Sequence, residues 1–176
     1  MRRVVIADAG PLIGLARIGQ LGLLPQLFGT VSVTAWVAGE VLAGGDFPDH
    51  AALQNAFTQP WLQTVIAPDS NDQAWQAECQ ALIHLHQIDM GEASALVLAS
   101  QLVTLGDVAL LLIDDFRGRQ AAQHGGVAAM GTAGVLLLAK KAGAITTVKP
   151  LLIALRSEGY FLSDRLMEAV RLQAGE

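Results

Sequence analysis

Two short segments of the chain are continuously apolar and end directly at acidic residues. Residues 4–7 are followed by Asp8, and residues 109–113 are followed by Asp114 and Asp115. A short unbroken apolar run is typical of a strand that is buried on both faces of a sheet, because neither side of the strand meets water. The pattern therefore predicts that both segments are central strands.

Elsewhere the apolar residues alternate between strand-like runs and helical spacing. Further strands are predicted over residues 31–33, 62–66 and 127–130. Helices are predicted over residues 12–18, 21–28, 35–42, 49–58, 74–86, 93–102, 118–124, 135–142, 145–157 and 163–174. Strands that alternate with helices and are joined by short loops indicate a mainly parallel sheet that is covered on both faces.

The size and composition of the chain predict one compact domain. Of its 176 residues 52% are apolar, and the mean hydropathy is +0.43, which is enough for a single well-buried core. We expect residues 1–176 to form that domain, with the helices within residues 145–174 packed on it. Cys79 has no cysteine partner, and no apolar run approaches the ~20 residues that span a bilayer. We therefore expect a cytoplasmic protein with no membrane segment.

The charge of the chain limits how it could bind nucleic acid. A net charge of −5 and a pI near 5.3 argue against a broad basic surface, because neutralising phosphates requires clustered lysine and arginine. Any phosphate contact must therefore be local or assisted by a metal ion. Residues 101–176 carry eight basic and seven acidic side chains, against three and nine in residues 1–100. A substrate-facing basic rim and an ordinary solvated helix surface both explain that difference.

The acidic residues near the strand ends are the strongest candidates for chemistry. Asp8 and the pair Asp114 and Asp115 stand at the carboxyl ends of buried strands, at the edge where open α/β sheets bind ligands. Glu92 lies in the first turn of the helix that precedes the second of these strands, and Glu40 lies on the helix that follows the strand 31–33. Both helices could present their acids to the same edge of the sheet.

Several carboxylates at one edge need a compensating positive charge, because their repulsion raises their pKa values or destabilises the fold. A divalent cation supplies that charge, and oxygen ligands favour Mg²⁺ or Mn²⁺ over zinc. Such an ion can activate water and stabilise the charge that develops on a phosphodiester. The pattern therefore indicates phosphodiester hydrolysis. The candidate catalytic residues are Asp8, Glu40, Glu92, Asp114 and Asp115, and the candidate metal ligands among them are Asp8, Glu92, Asp114 and Asp115.

Each acid also has an ordinary structural explanation. Asp89 and Glu92 have the spacing of a helix-capping pair, and Glu40 could simply face solvent. Asp8 could be a turn residue, although the Ala-Gly-Pro that follows it could form a turn unaided. Of the aspartate pair, one member is expected to cap the following helix and the other to face the site, and the spacing does not decide which.

Five stretches of the chain, taken in order, resemble the PIN-domain family. They are residues 6–13 (IADAGPLI), 31–41 (VSV, then VAGEV), 90–95 (MGEASA), 112–119 (LIDDFRGR) and 131–136 (GTAGVL). The set is specific because its members appear in the order of the family and cover nearly all of residues 4–160. The resemblance is to the prokaryotic VapC-like branch, whose members often serve as the toxin of a toxin–antitoxin pair.

The resemblance implies a three-layer α/β/α sandwich with an acidic pocket that holds Mg²⁺ or Mn²⁺ and cleaves RNA. By motif position, Asp8, Glu40 and Glu92 would be the first three acids of that pocket, and the fourth falls on Asp114 or Asp115. Proteins of this type often form homodimers and bind a small DNA-binding antitoxin. We therefore expect an RNA substrate, a second copy of the chain and an antitoxin as partners.

Polar residues near the predicted site could contact RNA. The candidate substrate-binding residues are Arg117, Arg119 and Thr132. A basic rim could extend further, to Lys140, Lys141 and Lys149. The alternative for the two arginines is an internal ion pair with the aspartate pair, and the alternative for the lysines is a solvated surface. The threonine could equally be a polar residue at the start of a helix.

Aromatic residues and histidines give weaker signals. Trp36, Trp61 and Trp75 could stack on bases, but packing in the core or at an interface is the better interpretation of all three. His84 and His86 lie two residues apart on a predicted helix and therefore face different sides, which is poor geometry for a pair of metal ligands.

Other functions are compatible with acids at strand ends. A dinucleotide-binding domain would carry G-x-G-x-x-G after the first strand, and residues 8–13 lack it. An aspartate-based phosphatase or phosphoacceptor domain is a closer rival, but such phosphatases use D-x-D after the first strand, and Gly10 occupies the second aspartate's place. A non-catalytic PIN-like interaction module, whose acids bind a partner, is the other alternative.

Overall fold

The computed structural model describes residues 2–43, 49–65 and 72–176. Within these residues the chain forms five strands and ten helices. In chain order they are β1 (Arg3–Ala7), α1 (Ala9–Arg17), α2 (Leu23–Phe28), β2 (Val31–Thr34), α3 (Ala35–Ala43), α4 (His50–Phe57), β3 (Leu62–Val65), α5 (Gln73–His86), α6 (Met90–Thr104), β4 (Val108–Leu112), α7 (Phe116–His124), β5 (Ala128–Met130), α8 (Thr132–Lys141), α9 (Lys149–Ser157) and α10 (Asp164–Ala174). Each predicted strand is present within one residue of its predicted bounds, although residue 66 lies outside the described residues.

The five strands form one parallel sheet in the order β3-β2-β1-β4-β5. β1 lies in the middle and pairs with β4 from Arg3 opposite Val108 to Ala7 opposite Leu112. The pairing continues one residue further, because the Asp8 N–H donates to the Leu112 carbonyl at 2.9 Å. The carboxyl ends of β1 and β4 therefore lie side by side.

Helices cover both faces of the sheet, because successive side chains of a strand point to opposite faces. Leu111 of β4 packs into the core that the sheet forms with α5, α6 and α7. Leu112, the next residue, packs into the core on the other face, with α1 to α4 and α8 to α10. Both side chains are fully buried. This arrangement is the predicted α/β/α sandwich around a parallel sheet.

Four helices begin two or three residues earlier than the apolar pattern predicts. α1, α6, α7 and α8 start directly after their N-cap residues, which are Asp8, Asp89, Asp115 and Gly131. The alternative in which Asp8 is a turn residue is therefore wrong, because Asp8 is the N-cap of a helix that begins at Ala9. Pro11 lies in the first turn of α1, where its missing N–H costs no hydrogen bond. The earlier starts bring the acidic residues to the N-terminal ends of helices.

The C-terminal helices pack on the rest of the chain through α8 and α1. α10 contacts α8 and α9, and the Tyr160 hydroxyl donates to the Gly10 carbonyl at 2.8 Å. The helix predicted from residue 145 begins only at Lys149, because Pro150 fits the first turn of a helix but not its interior. These contacts favour one domain over residues 1–176, which stays a prediction. No helix within the described residues is long and apolar enough to cross a membrane.

Gly14 in α1 permits the close approach of the Tyr160 ring. A Cβ at position 14 would lie 2.9 Å from Cζ of Tyr160, and this ring is also anchored by its hydroxyl. We predict that Gly14→Ala lowers the free energy of unfolding by about 1–3 kcal/mol, as overpacking does. Gly39 in α3 is the matched control, because a Cβ there would meet no atom within 4 Å. Gly39→Ala should raise the free energy of unfolding by about 0.5–1 kcal/mol. Urea unfolding measures both changes, and an equal effect of the two variants would contradict this account.

Candidate functional site

The candidate site lies at the carboxyl edge of the sheet, where several helices begin. α1 starts directly after Asp8 at the end of β1, and α7 starts directly after Asp115, beyond the end of β4. The N-terminal end of a helix carries unpaired N–H groups and a partial positive charge. This edge therefore favours negatively charged groups, and acidic side chains from α3 and α6 also reach it.

Three carboxylates converge on Gly91 in the first turn of α6. Measured from the position that a Cβ of residue 91 would occupy, Glu40 Oε2 lies at 2.9 Å, Asp89 Oδ1 at 3.3 Å and Asp8 Oδ1 at 3.6 Å. Glycine leaves open the space in which these oxygens approach one another. The structure therefore brings Glu40, from the middle of α3, to Asp8 at the end of β1.

Glu92 reaches the same place from the next position of α6. Asp89 Oδ1 accepts from the Glu92 N–H at 2.8 Å, and Glu92 Oε2 accepts from the Asp89 N–H at 3.1 Å, so the predicted capping pair is a reciprocal capping box. The cap uses only one carboxylate oxygen of Glu92. The other, Oε1, lies 3.5 Å from the Cβ position of Gly118 in α7. Glu92 thus bridges from α6 to the start of α7 while remaining buried.

Asp115 is the member of the aspartate pair that caps a helix. Its Oδ1 accepts from the Gly118 N–H at 2.9 Å, and it is the N-cap of α7. Its charge also acts on the neighbouring Glu92. The expectation that one aspartate caps the following helix is therefore correct, and the capping aspartate nevertheless borders the other acids.

Asp114 is held by Thr132 at the start of α8. The Thr132 N–H donates to Asp114 Oδ1 at 2.7 Å, and the Thr132 hydroxyl donates to Oδ2 at 2.6 Å. Oδ2 also lies 3.5 Å from the Cβ position of Gly10, next to Asp8. Thr132 is only 1% exposed, so its polar groups serve to position Asp114 and do not face a substrate.

A buried hydrogen bond joins the two helices that carry the glutamates. Thr34 caps α3, because its hydroxyl oxygen accepts from the Val37 N–H at 3.2 Å. The same oxygen lies 2.7 Å from the Ser94 hydroxyl oxygen in α6, and Ser94 donates to the Gly91 carbonyl at 2.7 Å. This link fixes the start of α3 against the first turn of α6. Thr34 and Ser94 thus have structural roles at the starts of these two helices.

We call the carboxylates at this edge the acidic cluster. Its members come from four segments of the chain and are Asp8, Glu40, Asp89, Glu92, Asp114 and Asp115. The sequence pattern predicted only a capping role for Asp89. Asp89 is also a member of the acidic cluster. Its spacing from Glu92 could have indicated this, since two residues that cap the same helix start lie at the same edge of the sheet.

Burial and mutual repulsion raise the pKa values of three acids of the cluster. Burial raises the pKa of Asp8 from 3.8 to about 7; the charges of Asp89 and Glu40 add to this shift, and backbone N–H groups oppose it. Burial likewise raises the pKa of Glu92 from 4.5 to about 7, and the charges of Asp89, Asp115 and Asp8 contribute. Partial desolvation and the charge of Asp89 raise the pKa of Glu40. Asp8 and Glu92 therefore retain protons near neutral pH when no cation is bound.

The two arginines near the site do not neutralise the acidic cluster. Within residues 2–43, 49–65 and 72–176, no member of the cluster forms an ion pair. Arg119 Nη1 donates to the main-chain carbonyl of Asp114, and Arg117 Nη1 donates to that of Gln87 at 3.4 Å. The predicted ion pairs between these arginines and the aspartate pair are therefore wrong. Each guanidinium has five N–H donors, of which these bonds use one.

The three lysines lie away from the site. Lys140 and Lys141 are in the last turn of α8, about 12 Å along the helix from Thr132 at its start. Lys140 Nζ lies 3.4 Å from Glu176 Oε1, and the Lys149 N–H donates to the same carboxylate at 3.0 Å. The alternative in which these lysines extend a basic rim is therefore wrong, because α8 carries Lys140 and Lys141 away from the carboxyl edge of the sheet and Lys149 lies near Lys140 at Glu176.

The tryptophans divide into packed and exposed side chains. Trp75 of α5 is 2% exposed and lies in the core, and Trp61 packs against the core on the other face. Trp36 is 52% exposed, so the expectation of core packing fails for it in the chain as described. It stands on α3, one turn before Glu40.

Tyr160 is a neighbour of the site that sequence reasoning missed. Its hydroxyl bonds to Gly10, and the nearby Asp114 contributes to the increase in its pKa, which is due chiefly to burial. Nothing in the sequence indicated this contact, because 150 residues separate the two partners.

The donor set fits a magnesium or manganese ion in its chemistry, because carboxylate oxygens are the ligands these ions prefer. The convergence on Gly91 and the raised pKa values of Asp8 and Glu92 mark the place where a cation would relieve repulsion. Among the residues that the structure describes, no group of three Asp, Glu, His or Cys side chains has the arrangement needed to hold one metal ion. Binding an ion would therefore require at least one of these side chains to turn toward the others.

The fold and the acidic cluster define an α/β/α domain with a carboxylate site at the carboxyl edge of a parallel sheet. Residues 4–176 match the family model DUF3368, described as a PIN domain. No curated protein matches the chain. Because the family match covers nearly all of its residues, the chain belongs to this PIN-domain family. PIN domains are generally nucleases, so the chain has a fold of the nuclease type and belongs in the broad class of hydrolases.

The raised pKa values predict how the stability of the metal-free protein depends on pH. Unfolded Asp8 and Glu92 lose their protons near pH 3.8 and 4.5, whereas the folded protein holds them up to about pH 7. The folded state binds more protons in this window, so its free energy of unfolding falls as pH rises from about 4 to 7 and then levels off. Asp8→Asn removes one such group and should stabilise the protein at pH 8 in EDTA. The gain is at most a few kcal/mol, since one pKa unit corresponds to about 1.4 kcal/mol.

Urea unfolding at pH 4.5 and pH 8 measures this difference. Asp107→Asn is the matched control, because Asp107 pairs with Arg2 and lies at the start of β4, on the opposite edge of the sheet. The free energy of unfolding of the Asp107→Asn variant should not show the same gain at pH 8. A metal-free Asp8→Asn protein that is less stable than the wild type at pH 8 would show that the folded protein does not disfavour the charge of Asp8.

Proposed function

We propose that this PIN domain is a ribonuclease that needs Mg²⁺ or Mn²⁺ and hydrolyses phosphodiester bonds of RNA. The observation that carries the proposal is the acidic cluster, whose carboxylates converge at one edge of the sheet with no ion pair among the described residues. A structural role alone does not explain why buried acids with raised pKa values should meet. Cation binding explains it, because a divalent ion offsets the repulsion.

Each part of the cluster has a proposed role. Asp8, Glu92 and the aspartate pair would hold the ion. When bound, a divalent ion activates water and stabilises the negative charge that develops on the phosphodiester. Glu40 is an exposed residue with a carboxylate at the mouth of the cluster, and Glu40 Oε2 is placed to accept a proton from the attacking water. The free N–H donors of Arg117 and Arg119 are placed to bind phosphate oxygens.

The cellular role that we propose follows from the resemblance to VapC-like proteins. The protein would act in the cytoplasm as the toxin of a toxin–antitoxin pair and would be inhibited by a small DNA-binding antitoxin. We also propose a homodimer. Exposed apolar side chains on α9 and α10, including Ile153, Leu166 and Leu172, support an interface with a second chain.

Cleavage of labelled RNA tests the proposed activity. Wild-type protein should cleave RNA in Mg²⁺ or Mn²⁺ and stop when EDTA is added. Asp8→Asn should lower the rate at least ~100-fold, because it removes a charged ligand from the centre of the cluster. Circular dichroism should show that the variant keeps its fold. Asp107→Asn, prepared in the same way, should cleave at the wild-type rate.

Equal cleavage by wild type and Asp8→Asn would indicate a contaminating nuclease and end the proposal. Tight binding of a protein partner without metal-dependent turnover would favour the non-catalytic alternative. Release of phosphate from a phosphomonoester, with no cleavage of RNA, would favour the phosphatase alternative.

Thr132 offers a separate test of how Asp114 is positioned. Thr132→Val keeps the shape of the side chain but removes the hydroxyl that donates to Asp114 Oδ2. We expect the rate of cleavage and the affinity for Mn²⁺ to fall about 10–100-fold, as when a partner of a metal ligand is lost. Thr104→Val is the control, because the Thr104 hydroxyl bonds only to the Ser100 carbonyl at the far end of α6. Equal activity of the two variants would remove Thr132 from the mechanism.

A further inference from the structure

Trp36 presents an exposed indole ring beside the acidic cluster. It is the second residue of α3, directly after β2, and is 52% exposed. It borders an open groove of about 750 Å³. The lining of that groove also includes Ala35, Gly39, Glu40, Ala43, Asp89 and Met90. The groove is thus apolar along most of its length and ends at two carboxylates of the cluster.

Phe116 presents a second exposed ring beside the same cluster. It is the first residue of α7, directly after the capping Asp115, and is 63% exposed. It borders a separate groove of about 660 Å³ that also contains Asp114, Asp115 and Arg119. The Phe116 side chain is not stabilised by packing in the core, since it belongs to neither of the two hydrophobic cores.

The order of the strands places the two rings on opposite sides of Asp8. Trp36 follows β2 and Phe116 follows β4, and β1 lies between these two strands. Asp8 stands at the end of β1. A chain that crosses the carboxyl edge of the sheet over the acidic cluster therefore meets one exposed ring before Asp8 and the other ring after it.

We infer that Trp36 and Phe116 stack on unpaired bases of the RNA, one on each side of the phosphodiester bond that is cleaved. This inference rests on the proposed ribonuclease function. An uncharged base can enter the groove beside Trp36, whereas the carboxylates of Glu40 and Asp89 would repel a phosphate there. Every base has a flat face, so stacking on an aromatic ring needs no particular sequence. The phosphates would lie toward Arg119 on the other side.

This arrangement selects single-stranded RNA. In a duplex the bases are paired and stacked on one another, so their faces cannot reach a side chain. The acidic pI of the protein fits such a mode of binding, because stacking supplies affinity that a broad basic surface would otherwise have to supply.

Binding of a labelled, unstructured RNA oligonucleotide tests the inference without relying on turnover. Binding is measured by fluorescence anisotropy with Mn²⁺ in the Asp8→Asn background, so that the RNA stays intact. Adding Trp36→Ala or Phe116→Ala should raise the Kd about 5- to 100-fold, the range for loss of one stacked base. Adding Trp36→Phe should restore most of the affinity. Leu105→Ala is the control, because Leu105 is 80% exposed at the far end of α6, and its Kd should not change.

Abasic nucleotides locate the stacked base. At one position of the oligonucleotide, removing the base should weaken binding in the Asp8→Asn background but have no further effect when Trp36→Ala is present. The same RNA annealed to its complement should bind equally weakly with or without Trp36. If Trp36→Ala and Phe116→Ala bind single-stranded RNA as tightly as Leu105→Ala, the inference is wrong, and the exposed rings serve another partner.

Cleavage by the protein with an intact cluster separates the two proposals. If the wild type cleaves RNA with Mn²⁺ but Trp36→Ala has an unchanged KM, the stacking inference fails and the ribonuclease proposal stands. If the wild type does not cleave RNA but Trp36→Ala and Phe116→Ala weaken RNA binding, the ribonuclease proposal fails. The stacking inference then stands for RNA binding alone. An increase of KM about 5- to 100-fold with little change in kcat supports both.

Discussion

Repulsion between carboxylates at the carboxyl edge of the sheet is the constraint on which the site depends. β1 and β4 pair in register up to Ala7 and Leu112, so Asp8 and Asp114 cannot separate unless the centre of the sheet changes. Hydrogen bonds from Thr132 and Gly118 hold the aspartate pair in place. They do not cancel the charge, because buried acids of the cluster keep raised pKa values. The cost of burying these charges, together with their mutual repulsion, is the physical reason to expect a divalent cation.

Glycines make this convergence possible. A Cβ at position 91 would lie 2.9 Å from Glu40 Oε2, and a Cβ at position 131 would lie 2.9 Å from Asp114 Oδ1. A Cβ this close forces a shift, so Gly131 is needed beside Asp114, which Thr132 holds in place, whereas a Cβ at position 91 would displace the flexible end of Glu40 from the other acids. The same helix starts provide N–H groups and the positive ends of helix dipoles. Small residues and acids therefore occur together in the segments that resemble the PIN-domain family.

The central strands and most acids of the cluster could be predicted, because buried parallel strands are unbroken apolar runs and their carboxyl ends meet at one edge. The helix starts could not be predicted, because a segment such as Ala-Gly-Pro after Asp8 is typical of turns. It is helical in the structure because of its tertiary packing. Spacing could not say which aspartate caps α7, since that depends on the position of Thr132, 18 residues from Asp114. The exposure of Trp36 could not be predicted from the sequence either, because the residues around it fit a buried helix face as well as an exposed one.

A crystal structure of the protein grown with Mn²⁺, with anomalous data collected at the manganese edge, tests the central claim most directly, because it locates the ion independently of turnover. The account predicts an anomalous peak about 2–2.5 Å from a carboxylate oxygen of Asp8 and from at least one further member of the acidic cluster. Manganese bound only at other sites, with the cluster carboxylates turned apart into solvent, would contradict it.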